Sequence, residues 1–411
     1  MLVDYLELAG AEIINSARAA AYAVARGVPV QCDPCPDLAV ALGDLAYVDP
    51  VTDRAPWWDP GVIESSGVLG VMGMSVAGFN SSPLGREPVQ LVGDGAALGV
   101  ARRSHREIAY TVLLLTTGEC ALSYGLEWLA AALGGSACGG CGGDEMCVFS
   151  CCPVDGSREL RHLYGVGLLD GPQVTDTQYL PTGHVIATVT FSLAAGVPWI
   201  YREPLDTLTG WVNLADGVSI SVDPDQVYER CIEPTPCLED PDCPAPPLPP
   251  RPPIPVDACY PSGRDQFLQS VIGLRPVDQP QWLETVPVLE VVTGLTAMRR
   301  LVVRFWTDPS GDCAATTDPC RACAAIQVPY LPGRSVLRVD GRTQRVVVEC
   351  PQGPTGTAAG APTLYGPRGR HFQWPVFACS TGLCIELLSL EKATADNARA
   401  RVLMVPRSDA G

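Results

Sequence analysis

The stretch His184–Leu193 reads HVIATVTFSL, and Arg106–Thr116, upstream of it, reads REIAYTVLLLT. In the first, Val185, Ala187, Val189, Phe191 and Leu193 alternate with small or polar residues. In the second, Ile108, Tyr110, Val112 and Leu114 fall on one face. Alternation with a period of two is the pattern of a half-buried strand, so a mainly β fold is expected. Between these stretches the period changes. Leu122, Leu126, Leu129 and Leu133 lie at i, i+4, i+7 and i+11, which predicts a helix over 122–133 stopped by Gly134-Gly135. The segment Ala11–Arg26 is alanine-rich, but Ile13-Ile14 and Gly27-Val-Pro29 leave strand and helix both open.

Downstream, Val288–Val292, Arg300–Trp306, Arg334–Val339, Gln344–Cys350, Leu383–Leu390 and Ala400–Val405 read as short strands, separated by turns such as Asp308-Pro-Ser-Gly311 and Asp340-Gly341. Strands at this spacing predict a β-sandwich. The two halves are divided at Pro234–Pro255, where eleven prolines remove amide donors and favour an extended spacer. The expected organisation is therefore a first domain over 1–230 with a cysteine-rich insertion at 136–155, a Pro-rich linker over 231–256, and a sandwich over 257–411.

The formal net charge of −17 argues against a nucleic-acid backbone or an anionic membrane as partner, since both would repel the chain. No apolar run reaches the roughly 20 residues of a membrane span. Eighteen cysteines imply an oxidising setting, yet the opening Met1-Leu-Val-Asp4-Tyr-Leu-Glu7 lacks the basic and apolar blocks of a secretory leader. Three readings reconcile the two observations: a leader already removed, a metal-loaded cytosolic protein, or a particle assembled in a cytoplasm and oxidised after release.

The cysteines cluster. Cys32/Cys35, Cys138/Cys141 and Cys320/Cys323 are CxxC pairs, and Cys147, Cys151 and Cys152 follow the second. Zinc is one option, held by Cys138, Cys141, Cys147 and Cys151, although zinc ribbons separate their pairs further and leave Cys152 no part. A thioredoxin-like site is another, but Cys138 follows a helix instead of opening one. Structural disulfides are the third, with Cys32, Cys35, Cys138, Cys141, Cys313, Cys320, Cys323, Cys379 and Cys384 as candidates and the connectivity left open. No cofactor is expected. The four histidines, His105, His162, His184 and His371, form no HExxH or HxH pattern, and no P-loop, dinucleotide fingerprint or GxSxG elbow is present. Gly93-Asp-Gly95 reads as a turn. No catalytic residue is assigned and an enzyme is not expected. Trp306, Tyr330, Tyr365 and Trp374 offer sugar-stacking surfaces if exposed, or core packing if not.

The order of several short motifs resembles minor tail proteins of the distal-tail class from phages of actinobacteria. They are Glu12-Ile-Ile-Asn15-Ser-Ala-Arg18-Ala-Ala-Ala-Tyr22, Ala55-Pro-Trp-Trp58-Asp-Pro60, Glu64-Ser-Ser, Gly78-Phe-Asn, Tyr124-Gly-Leu-Glu-Trp128-Leu running into Cys138-Gly-Gly-Cys141, and Phe191 with Pro198-Trp-Ile-Tyr201. Arg304-Phe-Trp306, Cys320-Arg-Ala-Cys323, Val328-Pro-Tyr-Leu-Pro332 and Val339-Asp-Gly-Arg342 continue it. The resemblance implies a first domain built as a ring-forming β-barrel with one packed helix, and a second domain as an appended sandwich. It implies a structural virion protein of the tail tip, assembled in the host cytoplasm as a homo-oligomeric ring, most simply a hexamer, joining the tail tube to the baseplate. Tail tube, tape measure and hub or fibre proteins would be its neighbours. The alternative is a module binding a receptor or a cell-surface glycan through the C-terminal sandwich.

Overall fold

A computed structural model describes residues 3–28, 38, 42–43, 46–136, 143–151, 158–205, 210–221, 266–274, 282–308, 313, 322–349, 364–366, 371–378 and 382–409. The fold is mainly β, in two compact units: Met1–Glu203 with Arg407–Gly411, and Pro204–Pro406. The Pro-rich segment, most of the 136–155 insertion, and Cys32, Cys35, Cys138, Cys141, Cys320 and Cys379 lie outside the described residues.

In unit 1 the strands are β1 (Tyr5–Leu8), β2 (Ala11–Asn15), β3 (Val68–Ala77), β4 (Leu84–Gly85), β5 (Pro88–Gln90), β6 (Ala96–Leu98), β7 (Arg102–Arg103), β8 (Arg106–Thr116), β9 (Asp144–Cys151), β10 (Arg158–Tyr179), β11 (Val185–Ala195) and β12 (Ile200–Tyr201). The helices are α1 (Ser16–Ala25) and α2 (Glu119–Leu133). The undecided segment 11–26 is both a strand and a helix. Asn15 is the switch: its backbone is still extended, while its side chain accepts the Arg18 N–H at 3.0 Å and caps α1. Gly27 ends the helix at φ +71°, with its N–H on the Val24 carbonyl.

Strands β8 and β11 pair antiparallel from Arg106↔Ala195 to Thr116↔Val185. Every second residue of β11 is buried, from Val185 to Ala195, as the alternation predicts. The order β3-β8-β11-β10 forms one ladder, and β2-β1-β9-β10 another, because the first part of β10 pairs β9 and the later part pairs β11. Helix α2 starts three residues earlier than predicted. Its buried line is Ala121, Gly125, Leu129 and Leu133, with Leu122 and Leu126 only half-buried. Gly125 explains the shift, since it lets the helix close on Leu114 and Val68. Trp57 packs edge-on to Trp128 at 5.5 Å and donates to the Val68 carbonyl, and Tyr124 donates to the Trp57 carbonyl.

The β-barrel with one packed helix expected for this unit is not found as a closed barrel among the described residues. Among the described residues β3 pairs only β8 and β2 pairs only β1, so the ladders do not close. Among the described residues two helices pack on the unit, and Ala19 of α1 lies close against Gly70 of β3, where a side chain would be crowded.

Unit 2 contains β13 (Val212–Asn213), β14 (Val218–Ser221), β15 (Gln266–Leu274), β16 (Glu284–Val292), β17 (Met298–Thr307), β18 (Ala324–Leu331), β19 (Val336–Asp340), β20 (Arg345–Glu349), β21 (Phe377–Ala378) and β22 (Leu383–Leu390). It also holds most of β23 (Arg399–Ser408). One sheet runs β14-β15-β22-β17-β18, and a second ladder runs β23-β16-β19-β20 with β13 on β23 and β21 on β16. Both contribute to one core, in which Leu289, Leu337 and Val402 meet Val303, Phe305, Ile385 and Leu387. Unit 2 begins before the Pro-rich segment, because β13 and β14 pair with β23 and β15.

Candidate functional site

Between the end of β3 at Ala77 and the start of β8 at Arg106, the chain leaves the sheet as a two-stranded arm. Leu84 pairs Arg103 and Gly85 pairs Arg102; further out Pro88 pairs Leu98, Val89 pairs Ala97 and Gln90 pairs Ala96. Gly93-Asp94-Gly95 turns the tip, with Gly95 at φ +97° and the Leu91 N–H on its carbonyl. Every residue from Leu84 to Leu98 is exposed. The exposed set is strongly apolar: Val89 at 64%, Val92 fully open, Leu98 at 69% and Val100 at 79%. An isolated two-stranded ribbon is at best marginally stable in water, and here it exposes apolar side chains on both faces, Val89 with Ala97 on one and Leu98 with Pro88 on the other. Its free charges balance, Arg86 and Arg102 against Glu87 and Asp94, because Arg106 is buried at the root and Arg103 is paired with Asp409.

The arm's root is built tightly. Gly78 sits at φ +84°, and any side chain there would strike the Glu107 carbonyl. Arg106, only 2% exposed, donates to the carbonyls of Phe79, Ser81 and Pro198. Burial lowers its pKa, and the nearby Asp409 carboxylate opposes that.

A second group of titratable side chains lies on β1, β9, β10 and β12, where Glu7, Cys147, His162 and Tyr201 follow one another in register. His162 meets Glu145 through Nδ1 at 2.9 Å and Glu203 through Nε2 at 3.3 Å, and Tyr164 donates to Glu145 at 3.2 Å. Burial pushes the Cys147 thiol up to about 12, reinforced by Glu7, Glu145 and Glu203. Both imidazole nitrogens are thus held by carboxylates, and the neighbouring thiol is kept protonated. His105 pairs with Glu107, His184 meets Thr182 and His371 meets the Phe372 carbonyl, each an ordinary polar contact.

Of the cysteines singled out by spacing, Cys313 and Cys384 are joined in a disulfide. Cys323 is a free, exposed thiol, as is Cys120 at the start of α2. Of the four thiols considered for zinc, only the Cys147 side chain is described, and its register neighbours are Glu7 and His162. Asp308 stands beside Cys313 and Cys384, but the disulfide leaves no thiolate there to bind a metal.

The aromatic candidates are dispersed. Trp306 is 4% exposed and belongs to the interior, whereas Tyr330 and Tyr365 are exposed. Trp374 packs edge-on to Phe372 and lines an open cleft of about 840 Å³ with His371, Gln373, Cys323 and Phe377. The structure therefore does not gather the four into one stacking platform. Sequence reading missed the arm because its glycines and prolines resemble a loop. The signal was present in Val89 and Leu91-Val92 flanking Gly93-Asp94-Gly95, a hairpin pattern. Among the described residues no helix is long and apolar enough to cross a membrane.

No family model matches the chain, and no curated protein matches it. Among solved structures, the SPP1 Dit protein, a hub adsorption apparatus component of phages infecting Gram-positive bacteria, is 11% identical over 85% of this chain and 96% of its own, with a TM-score of 0.36. The phage P2 baseplate in its activated conformation is similar at 11% identity with calcium and 12% with strontium. Each covers 86% of this chain and 94% of its own, with TM-scores of 0.37 and 0.38.

Proposed function

We propose that this chain is a structural component of a phage tail tip, and that it assembles with further copies of itself through the exposed arm of unit 1. The motif order that resembles actinobacteriophage minor tail proteins supports the setting. The arm is the observation that carries the assembly. Its apolar residues have no partner surface within the described residues of their own chain. A second copy of the chain would cover that apolar surface. Docking an arm on a different surface of a neighbour is a heterologous contact, which closes into a ring when the rotation allows. A hexameric ring between tail tube and baseplate, with tape measure and hub or fibre proteins as neighbours, is the finer form of this proposal.

Sedimentation velocity and native mass spectrometry across a concentration series test it, comparing the native chain with Val89→Asp/Val92→Asp/Leu98→Asp. The expected outcome is one closed oligomer for the native chain and a folded monomer for the variant. A native chain that stays monomeric at its highest soluble concentration, or a variant that assembles as well, overturns the proposal.

A further inference from the structure

One carboxylate touches both legs of the arm's root. Asp409 Oδ2 accepts from Arg103 Nη2 at 3.1 Å on the returning leg and from Ser82 Oγ at 3.5 Å on the outgoing one. The Asp409 carbonyl accepts from Arg106 Nη2 at 2.9 Å, the same guanidinium that gathers the Phe79 and Ser81 carbonyls. Two residues earlier, Arg407 lies 3.9 Å from the centre of the Trp199 ring, and Arg103 lies 4.2 Å from it. Trp199 immediately precedes β12, which pairs with the same segment through Ile200↔Ser408 and Tyr201↔Arg407. A segment more than 300 positions from the arm in sequence thus ties both legs to one strand of the body.

We propose that Arg407–Asp409 is a clasp that fixes the root of the arm and so sets the direction in which the arm leaves unit 1. An exposed ribbon has no core of its own to hold it in one pose. An isolated surface ion pair such as Arg103–Asp409 contributes little. Here it is joined to a buried guanidinium and to an indole contacted by two cations, and the three contacts converge on one place. Holding the arm in a single pose reduces the ordering lost when it docks. That consequence, but not the clasp itself, rests on the assembly proposed above.

Hydrogen exchange followed by mass spectrometry on dilute, unassembled full-length protein tests the clasp in Asp409→Ala, Asp409→Asn and Trp199→Leu. Amides of the root ladder, Leu84–Gly85 with Arg102–Arg103, are expected to exchange about fivefold faster in Asp409→Ala and Trp199→Leu. Asp409→Asn, which keeps an acceptor, should change less. The tip pair β5–β6 and the body strand β8 serve as internal controls and should be unchanged. Root exchange equal to the native protein in both Asp409→Ala and Trp199→Leu overturns the clasp, whatever happens to assembly. A loosened root with undiminished assembly leaves the clasp standing and shows that the pose it sets does not govern assembly. A loosened root with weakened assembly supports both.

Discussion

At the scale of single residues, His162 is the group whose charge the fold controls most directly. Burial alone would lower its pKa, but the hydrogen bonds and charges of Glu145 and Glu203 outweigh that and hold it above the ordinary value. Cys147 and Glu7 face it from β9 and β1, and Tyr164 and Tyr201 from β10 and β12. Because the folded pKa lies above the unfolded value of about 6.5, the stability from these contacts is complete below that value. It is lost as pH rises through the folded pKa. Chemical denaturation of the native chain and His162→Gln is therefore expected to show a gap in midpoint that is widest near pH ~6 and shrinks towards pH ~8. A gap constant over that range would sink the assignment. Nothing in the sequence marked His162 apart from the other three histidines, since its two carboxylates come from positions 17 and 41 residues away.

At the scale of elements, strands were more legible than their ends. Strand β8 matches its predicted span, and β11 runs on by two residues. Strand β22 was predicted over Leu383–Leu390, but the reading could not show that both of its faces are covered from Leu383 to Ser389. The consequence is a buried carboxylate. Glu386 is paired in register with Arg304 of β17, Nη1 to Oε2 at 3.2 Å, and accepts from Gln269 of β15. Burial pushes the Glu386 carboxyl up, against the opposing effects of Arg304 and Gln269. Removing one partner of a buried pair leaves the other charge uncompensated, whereas replacing both with apolar groups is close to neutral. Arg304→Met is expected to cost about 3 kcal/mol, and Arg304→Met/Glu386→Leu to recover most of it. Equal destabilisation by the single and double variants in urea unfolding would show that the pair is not what matters there.

At the scale of the whole molecule, each unit has its own core, and the Cys313–Cys384 disulfide lies within unit 2. It closes a loop of 71 residues, a constraint worth about 4 kcal/mol through the unfolded chain. Cys313→Ser/Cys384→Ser is expected to lower the unfolding midpoint of unit 2 by about 10 °C. Hydrogen exchange of β17 and β22 would follow that unit, with β8 and β11 of unit 1 as the unaffected reference. A shift equal in both units, or absent from unit 2, would contradict it.

The sequence by itself determined the β class, the best strands, one helix and the turn at Gly93-Asp94-Gly95. These rest on periodicity and local backbone preference, which act over a few residues. Asn15 is the informative intermediate: a local cap settled a segment whose composition fitted two structures. Only the tertiary structure decided that Glu7, Cys147, His162 and Tyr201 form one row, which cysteine meets Cys384, and that Asp409 reaches the arm. Those contacts join positions whose separation leaves no periodic trace, because register and chain return are set by burial of the whole sheet. Exposure was likewise invisible to pattern. Trp306 lies in the interior while Val92 stands in the open, and only the packing around each distinguishes a core residue from a docking one.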